Sequence, residues 1–60
     1  MREYKEVFID ISPPKAPEDI ADEVESIAQR LHQEGWFFIE SRSDSLLESL
    51  WLFFERDLNL

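Results

Sequence analysis

The sequence predicts a small α+β fold in which the elements follow one another as strand, helix, strand, strand. Three observations support this order. Apolar side chains alternate along residues 4–11, they recur with helical spacing after Pro17, and they fill two short runs, Trp36–Ile39 and Leu50–Phe54. Alternation is typical of strands, and the longer spacing is typical of amphipathic helices. A chain of 60 residues without linkers, repeats or low-complexity tracts is expected to form a single domain.

The first strand is predicted over about residues 4–11. Its aliphatic residues Val7, Ile9 and Ile11 fall on one face, whereas Tyr4 and Phe8 fall on the other face among charged residues. Residues 12–17 then contain three prolines, which lack the backbone N–H that a strand ladder needs. The strand is therefore expected to end before them.

A single helix is predicted over about residues 17–34. Pro17 suits the first helical position, where its missing N–H costs nothing. An apolar stripe follows at helical spacing: Ile20, Val24, Ile27, Ala28 and Leu31. Gly35 is expected to end the helix in the left-handed conformation, and Trp36 should then contact Leu31, the usual hydrophobic closure of such an end.

The second and third strands are predicted over about residues 36–42 and 49–57, with a turn or short helical segment between them. Sequential strands with a short link pair antiparallel, and a helical crossover joins strands that run parallel. The third strand is the most apolar and is therefore placed in the centre. The prediction is a split β-α-β-β unit with a three-stranded mixed sheet, order 1-3-2, and one helix on one face.

The strands carry two sets of large side chains, one for each face of the sheet. The set that is nearly free of charge is expected beneath the helix: Val7, Ile9, Ile11, Phe37, Ile39, Leu50, Leu52 and Phe54. The set that is interleaved with charged residues is expected to face away: Tyr4, Phe8, Trp36, Phe38, Trp51 and Phe53. The sequence does not decide on which face Trp36 lies, because contact with Leu31 would draw it toward the helix.

The set facing away from the helix is large for the surface of a monomer, where apolar patches beyond about 300–600 Å² are rare. A second copy packed face to face, with the sheets about 10 Å apart, would cover it. The chain is therefore predicted to form a homodimer or higher homo-oligomer through Tyr4, Phe8, Phe38, Trp51 and Phe53. The alternative is a monomer whose aromatic side chains fold over their charged neighbours.

Three short stretches resemble a small bacterial family, the domain of unknown function 4177. They are Tyr4-Lys5 at the opening of the first strand, Glu34-Gly35-Trp36 at the helix end, and Phe53-Phe54-Glu55-Arg56 in the last strand. The resemblance spans most of the chain and implies the strand-helix-strand-strand order. It implies no activity and no catalytic residue. The sequence departs from the family pattern at Glu6 and at Glu55, where a basic residue is more typical.

The composition narrows the class of partner. Fourteen acidic residues against six basic ones give a formal net charge of −8, which argues against direct nucleic-acid binding because phosphate backbones select basic surfaces. No segment approaches the roughly 18 apolar residues of a membrane span, and no secretion signal is predicted. The chain has no cysteine, which excludes disulfides and thiolate metal sites and fits a cytoplasmic protein.

The first half of the predicted helix is strongly acidic, with Glu18, Asp19, Asp22, Glu23 and Glu25, whereas Arg30 and His32 lie in its last turns. This arrangement complements the helix dipole and needs no further role. The alternative function is an acidic adaptor or inhibitor that docks a basic protein through this helix face.

No constellation of residues predicts catalysis or cofactor binding. His32 is the only histidine, and Glu34 lies on a different side of the helix, so no metal site is predicted. A single glycine excludes a glycine-rich phosphate loop, and no serine lies in a nucleophile elbow. The chain is not expected to be an enzyme. It is predicted to be a structural or binding module of unknown biochemical role that self-associates through the open face of its sheet.

Overall fold

Three strands and one helix make up the structure, a computed structural model that describes residues 1–58. Strand β1 spans Arg2–Asp10, helix α1 Pro17–Gln33, strand β2 Phe37–Ser43 and strand β3 Ser49–Asp57. The predicted element order is confirmed. Each predicted boundary lies within two residues of the observed one, and the bounds of β3 are the same.

The sheet has the strand order β1-β3-β2, which confirms the predicted α+β split unit. Nine consecutive residue pairs join β1 to β3, from Arg2 opposite Asp57 to Asp10 opposite Ser49. Both pairs of neighbouring strands are antiparallel. The sheet is therefore antiparallel rather than mixed, because β3 separates the two strands that run in the same direction.

The helix ends in a hydrogen-bonded glycine cap. Gly35 has a φ of +92°, its N–H donates to the carbonyl of His32 at 3.0 Å, and the Trp36 N–H donates to the carbonyl of Leu31 at 2.9 Å. These two bonds form a Schellman motif, which satisfies carbonyls at the helix end. The predicted contact also forms, since Trp36 and Leu31 belong to the same buried cluster.

The core lies between the helix and one face of the sheet. Its buried residues are Ile9, Leu31, Trp36, Leu52 and Phe54, and the partly buried side chains around them are Val7, Ile11, Val24, Ile27, Ala28 and Leu50. The helix stripe and the nearly uncharged faces of β1 and β3 therefore pack together as predicted. Trp36 is only 5% exposed, which places it on the helix side.

Strand β2 departs from the predicted alternation because it contains a β-bulge. Phe38 lies opposite Phe54, but Glu40 lies opposite Phe53, so Ile39 is an extra residue without a partner. Phe38 therefore shares the helix-facing side with Phe54, and its assignment to the outward side is wrong. Phe37 and Ile39 were expected beneath the helix, yet both are exposed.

The link between β2 and β3 is a tight loop organised by Asp44. Its Oδ1 accepts hydrogen bonds from the backbone N–H groups of Glu48, at 2.8 Å, and Ser49, at 3.2 Å. Within this loop Leu47 has a φ of 56°, an unusual conformation for a bulky residue. The side chains of Leu46 and Leu47 are both exposed at the tip of the loop.

The molecule is thin and elongated. Its Cα radius of gyration is 12.7 Å, with principal extents of 43 × 21 × 12 Å. A compact domain of 60 residues would have a radius of gyration of about 10 Å. One helix thus covers one side of a long sheet, and no part of residues 1–58 forms a second layer on the other side.

Candidate functional site: the open face of the sheet

The face of the sheet opposite the helix carries aromatic residues in its middle rows, and we call it the open face. The register of the three strands sets its rows. Phe8, Trp51 and Arg42 form one row. Glu6, Phe53 and Glu40 form the next row, and Tyr4 then lies beside Glu55.

The aromatic side chains of the open face are accessible. Tyr4 is 70% exposed and Phe8 is 57% exposed, while Trp51 and Phe53 are partly buried. Phe8 and Trp51 contact each other, with ring centres 5.8 Å apart and planes tilted by 55°. This geometry is favourable for an aromatic pair. It also turns the two rings into one continuous apolar surface across β1 and β3.

Charged residues frame the aromatic rings. Arg2 Nη1 donates to Glu55 Oε1 at 2.7 Å, and Arg42 Nη2 donates to Glu40 Oε1 at 3.1 Å. The guanidinium carbon of Arg42 also lies 5.9 Å from the centre of the Phe53 ring, within the range of a cation–π contact. The rim of the patch is therefore polar and internally paired, as at many protein interfaces.

A shallow groove of about 470 Å³ crosses the open face between β1 and β2. Phe53 lies between its two sides, which include Tyr4 and Glu6 of β1 and Ile39 and Glu40 of β2. The bulge brings Ile39 into this lining. The groove adds concave apolar surface to the aromatic patch, which favours packing against another molecule.

The structure brings four of the five predicted interface residues onto this one face. Tyr4, Phe8, Trp51 and Phe53 lie there, whereas Phe38 lies on the other side with its ring centre 5.6 Å from that of Phe54. No local signal in the sequence marks the bulge that moves Phe38. Residues around Phe38 instead line a smaller cleft of about 290 Å³ beside the helix end, which also includes His32 and Phe37.

A second cluster lies beyond the helix end, on the helix side of the sheet, and centres on Trp36. The Arg56 guanidinium carbon and the Lys5 Nζ lie 4.4 Å and 4.9 Å from the centre of its ring. Arg56 also bonds the Glu3 carboxylate through Nε and Nη2, and Nη1 donates to the Glu34 carbonyl at 3.2 Å. The cluster closes the helix end and stabilises the fold. Each of the three stretches on which the family resemblance rests contributes a residue to it.

The histidine and one carboxylate of the described part of the chain, His32 and Asp10, each contact a neighbour within the chain. Residues 1–58 contain no group of three or more His, Asp or Glu side chains placed to hold a metal ion. His32 contacts the Phe37 ring edge-on, with ring centres 5.8 Å apart. Asp10 has a pKa below its ordinary value, chiefly because the Ser12 hydroxyl and then the Ser12 N–H donate to its carboxylate. These bonds organise the turn after β1.

Comparison with known proteins gives no match to a family model, to a curated protein or to a solved structure. The helix α1 found in residues 1–58 lacks the length and apolar character needed to cross a membrane.

Proposed function

We propose that this protein is a small structural or binding module that self-associates through the open face of its sheet. The observation that carries the proposal is the accessible aromatic patch formed by Tyr4, Phe8, Trp51 and Phe53, on a face of the sheet that no other element of residues 1–58 covers. Burial of aromatic side chains is a major source of interface energy. The partner that the patch fits is a second copy of the same chain.

Face-to-face packing of two sheets is a common way to bury such a patch. The inner faces of two packed sheets lie about 10 Å apart, and their side chains interdigitate between them. A twofold axis would bring the same patch of both copies together, as in most homodimers. The paired charges of Arg2 with Glu55 and of Arg42 with Glu40 would then form the polar rim.

The acidic half of the helix supports the second candidate, an adaptor or inhibitor that docks a basic protein. Glu18, Asp19 and Asp22 are exposed there. Lys15 contacts Glu23 at 3.0 Å, so part of this charge is already paired. The structure contains no comparable apolar patch on that face within residues 1–58, and docking there would depend mainly on charge.

The experiment that tests the proposal is sedimentation equilibrium across a concentration series at low and high salt. We expect a mass of at least twice the 7.2 kDa of one chain at micromolar concentration, retained at high salt because apolar contacts resist screening. A mass of 7.2 kDa at every concentration would contradict the proposal. A purely electrostatic complex with a basic protein would instead dissociate as salt is added.

The family resemblance, the cytoplasmic location and the lack of enzymatic activity remain predictions from the sequence. The family pattern supports a non-catalytic role because it implies no catalytic residue. The absence of cysteine supports the location, because disulfides are typical of small proteins from oxidising compartments.

A further inference from the structure

Strand β1 lies at the edge of the sheet and presents an uninterrupted row of backbone groups. Its nine residues pair with β3 without any register shift, so the ladder on its inner side is regular from end to end. The opposite edge differs, because β2 is shorter and contains the bulge at Ile39. Bulges and short strands are devices that prevent an edge from pairing with another chain. Only the β2 edge has them.

Two of the five charged residues of β1 are held away from its outer edge. Glu3 binds Arg56 and Lys5 lies over the Trp36 ring, so both side chains are held on the helix side of the sheet. A charged side chain aimed outward would protect an edge strand, but Glu3 and Lys5 contact their own chain. Arg2 bonds Glu55 across the ladder to β3 through Nη1, and its side chain is still 53% exposed.

The sequence of β1 is complementary to itself when two copies run antiparallel. One register pairs all nine residues of both strands, and it sets Arg2 of one copy opposite Asp10 of the other at both ends. The two Ser12 bonds of Asp10 both use Oδ1, which leaves Oδ2 for a guanidinium group. The same register sets Tyr4 opposite Phe8 on the open face twice. Opposite charges and aromatic pairs directly across a ladder are both favourable.

We propose that two copies of the chain associate edge to edge through β1, antiparallel and about a twofold axis at Glu6, and so form a continuous six-stranded sheet. The proposal rests on the proposed self-association. It adds a contact through the β1 edge to the contact through the open face. It joins the two aromatic patches into one surface, because the Tyr4 of each copy then lies beside the Phe8 of the other. Strand addition of this kind is a general mode of recognition between chains.

One feature of this register opposes association. The two Glu6 carboxylates lie directly opposite each other at the axis, and like charges in that position are destabilising. Glu6→Gln should therefore strengthen the edge contact and lower the dissociation constant several-fold. Glu18→Gln is the matched control, because it removes one negative charge at an exposed position of the helix, away from both the β1 edge and the open face.

Disulfide trapping tests the register directly, because the natural chain contains no cysteine. Residues paired across a ladder have Cα atoms about 4.5–5.5 Å apart, which suits a disulfide. Glu6→Cys is therefore expected to link to itself under mild oxidation. A Phe8→Cys chain should not do so, because the two positions would be offset by about 13 Å along the strands. It should link when mixed with a Tyr4→Cys chain.

A third trap separates this proposal from face-to-face packing. Phe53 lies on the central strand, so Phe53→Cys can link two copies only through the open face. Links from Glu6→Cys and from the Tyr4→Cys and Phe8→Cys mixture, with no link from Phe8→Cys alone or from Phe53→Cys, support edge pairing. Links from Phe53→Cys without those two overturn edge pairing and leave the face-to-face contact standing. The absence of a link in all three experiments overturns both contacts. A Glu6→Gln variant that associates no more tightly than Glu18→Gln overturns the edge contact at this register.

Discussion

The guanidinium carbon of Arg56 lies 4.4 Å from the centre of the buried Trp36 ring. This contact connects the end of β3 to the residue that follows the helix. Because Arg56 also binds the Glu3 carboxylate and the Glu34 carbonyl, it joins β1, β3 and the helix end through one side chain. In a domain with so few buried residues, such a connection is expected to carry a large share of the stability.

Replacement of Arg56 should therefore destabilise the protein more than replacement of an exposed arginine. We expect Arg56→Gln to lower the free energy of unfolding by about 1–2 kcal/mol, through loss of the stacking and of charge-assisted hydrogen bonds. Arg30→Gln is the matched control and should cost no more than about 0.5 kcal/mol, because Arg30 is exposed on the helix and lies outside both proposed contacts. Urea denaturation followed by circular dichroism measures the free energy of unfolding of both variants. Equal losses would contradict the special stabilising role of Arg56.

Gly35 should tolerate a side chain sterically but not conformationally. A Cβ placed there would lie 3.5 Å from Cδ of Arg56, an ordinary contact, so the penalty comes from its φ of +92°. We expect Gly35→Val to cost at least about 1 kcal/mol, and Gly35→Asn to cost less because Asn tolerates positive φ. Thermal denaturation of both variants measures the difference. A Gly35→Val protein as stable as the natural one would show that the left-handed cap is not needed.

Core and interface should respond differently to substitution. Leu31 is 2% exposed, and Leu31→Ala should cost about 2–5 kcal/mol. A domain of this size has only about 3–9 kcal/mol of stability, so we expect this variant to be largely unfolded at every concentration. Trp51→Glu places a charge within the aromatic patch, and it should dissociate the copies while the helical signal is retained.

Circular dichroism and sedimentation on these two variants provide the measurement. The matched control for Trp51→Glu is Ser26→Glu, which adds the same charge at an exposed position of the helix. We expect the control to keep the mass of the natural protein. A Trp51→Glu protein with unchanged mass and unchanged stability would show that the open face is not an interface.

The carboxylate of Asp10 should titrate at a higher pH when Ser12 cannot bind it through a hydroxyl. The Ser12 hydroxyl donates to Oδ1 at 2.6 Å, and this bond is the main reason that the pKa of Asp10 lies below its ordinary value. Ser12→Ala should therefore raise the pKa of Asp10, measured from its carboxyl carbon shift by NMR. An unchanged pKa would contradict this cause.

The sign of the linked stability effect follows from the same pKa. Because the pKa of Asp10 is lower in the folded chain than in the unfolded chain, its contribution is complete above the unfolded value of about 3.8. The contribution is lost as the pH falls through the folded value. The natural protein and the Ser12→Ala variant should therefore converge in stability at the acid end of a denaturation series.

The protein should become more stable when the side chain of Leu47 is removed. Its φ of 56° disfavours a bulky residue, and its exposed side chain contributes little packing within the chain. We expect Leu47→Gly to stabilise the protein by up to about 1 kcal/mol, because the left-handed conformation costs glycine nothing. Leu46→Gly is the control and should not stabilise it. If Leu47→Gly instead lowers the stability, and the loss grows with protein concentration, Leu47 contributes to contact between copies.

The sequence by itself determined the elements and most of their orientation. The helix stripe that ends at Leu31, the cap at Gly35 and the alternation along β1 are local patterns, and each is repeated in the structure. Local patterns succeed here because they depend on the backbone within a few residues. The strand order also followed, since the run Leu50–Phe54 is too apolar to lie at an edge.

The tertiary structure decided on which side of the sheet Trp36 and the side chains of β2 lie. It also decided that the β2 edge contains a bulge whereas the β1 edge is regular. Charge patterning grouped Trp36 with the outward-facing set, whereas the helix end favoured the other side, so the sequence left its side undecided. The Schellman motif and the contacts with Lys5 and Arg56 hold it beside the helix. The bulge at Ile39 arises only when β2 pairs with β3, and it reverses the side on which Phe38 lies. These features join residues that are distant in the chain, so their energies depend on packing that no local spacing records.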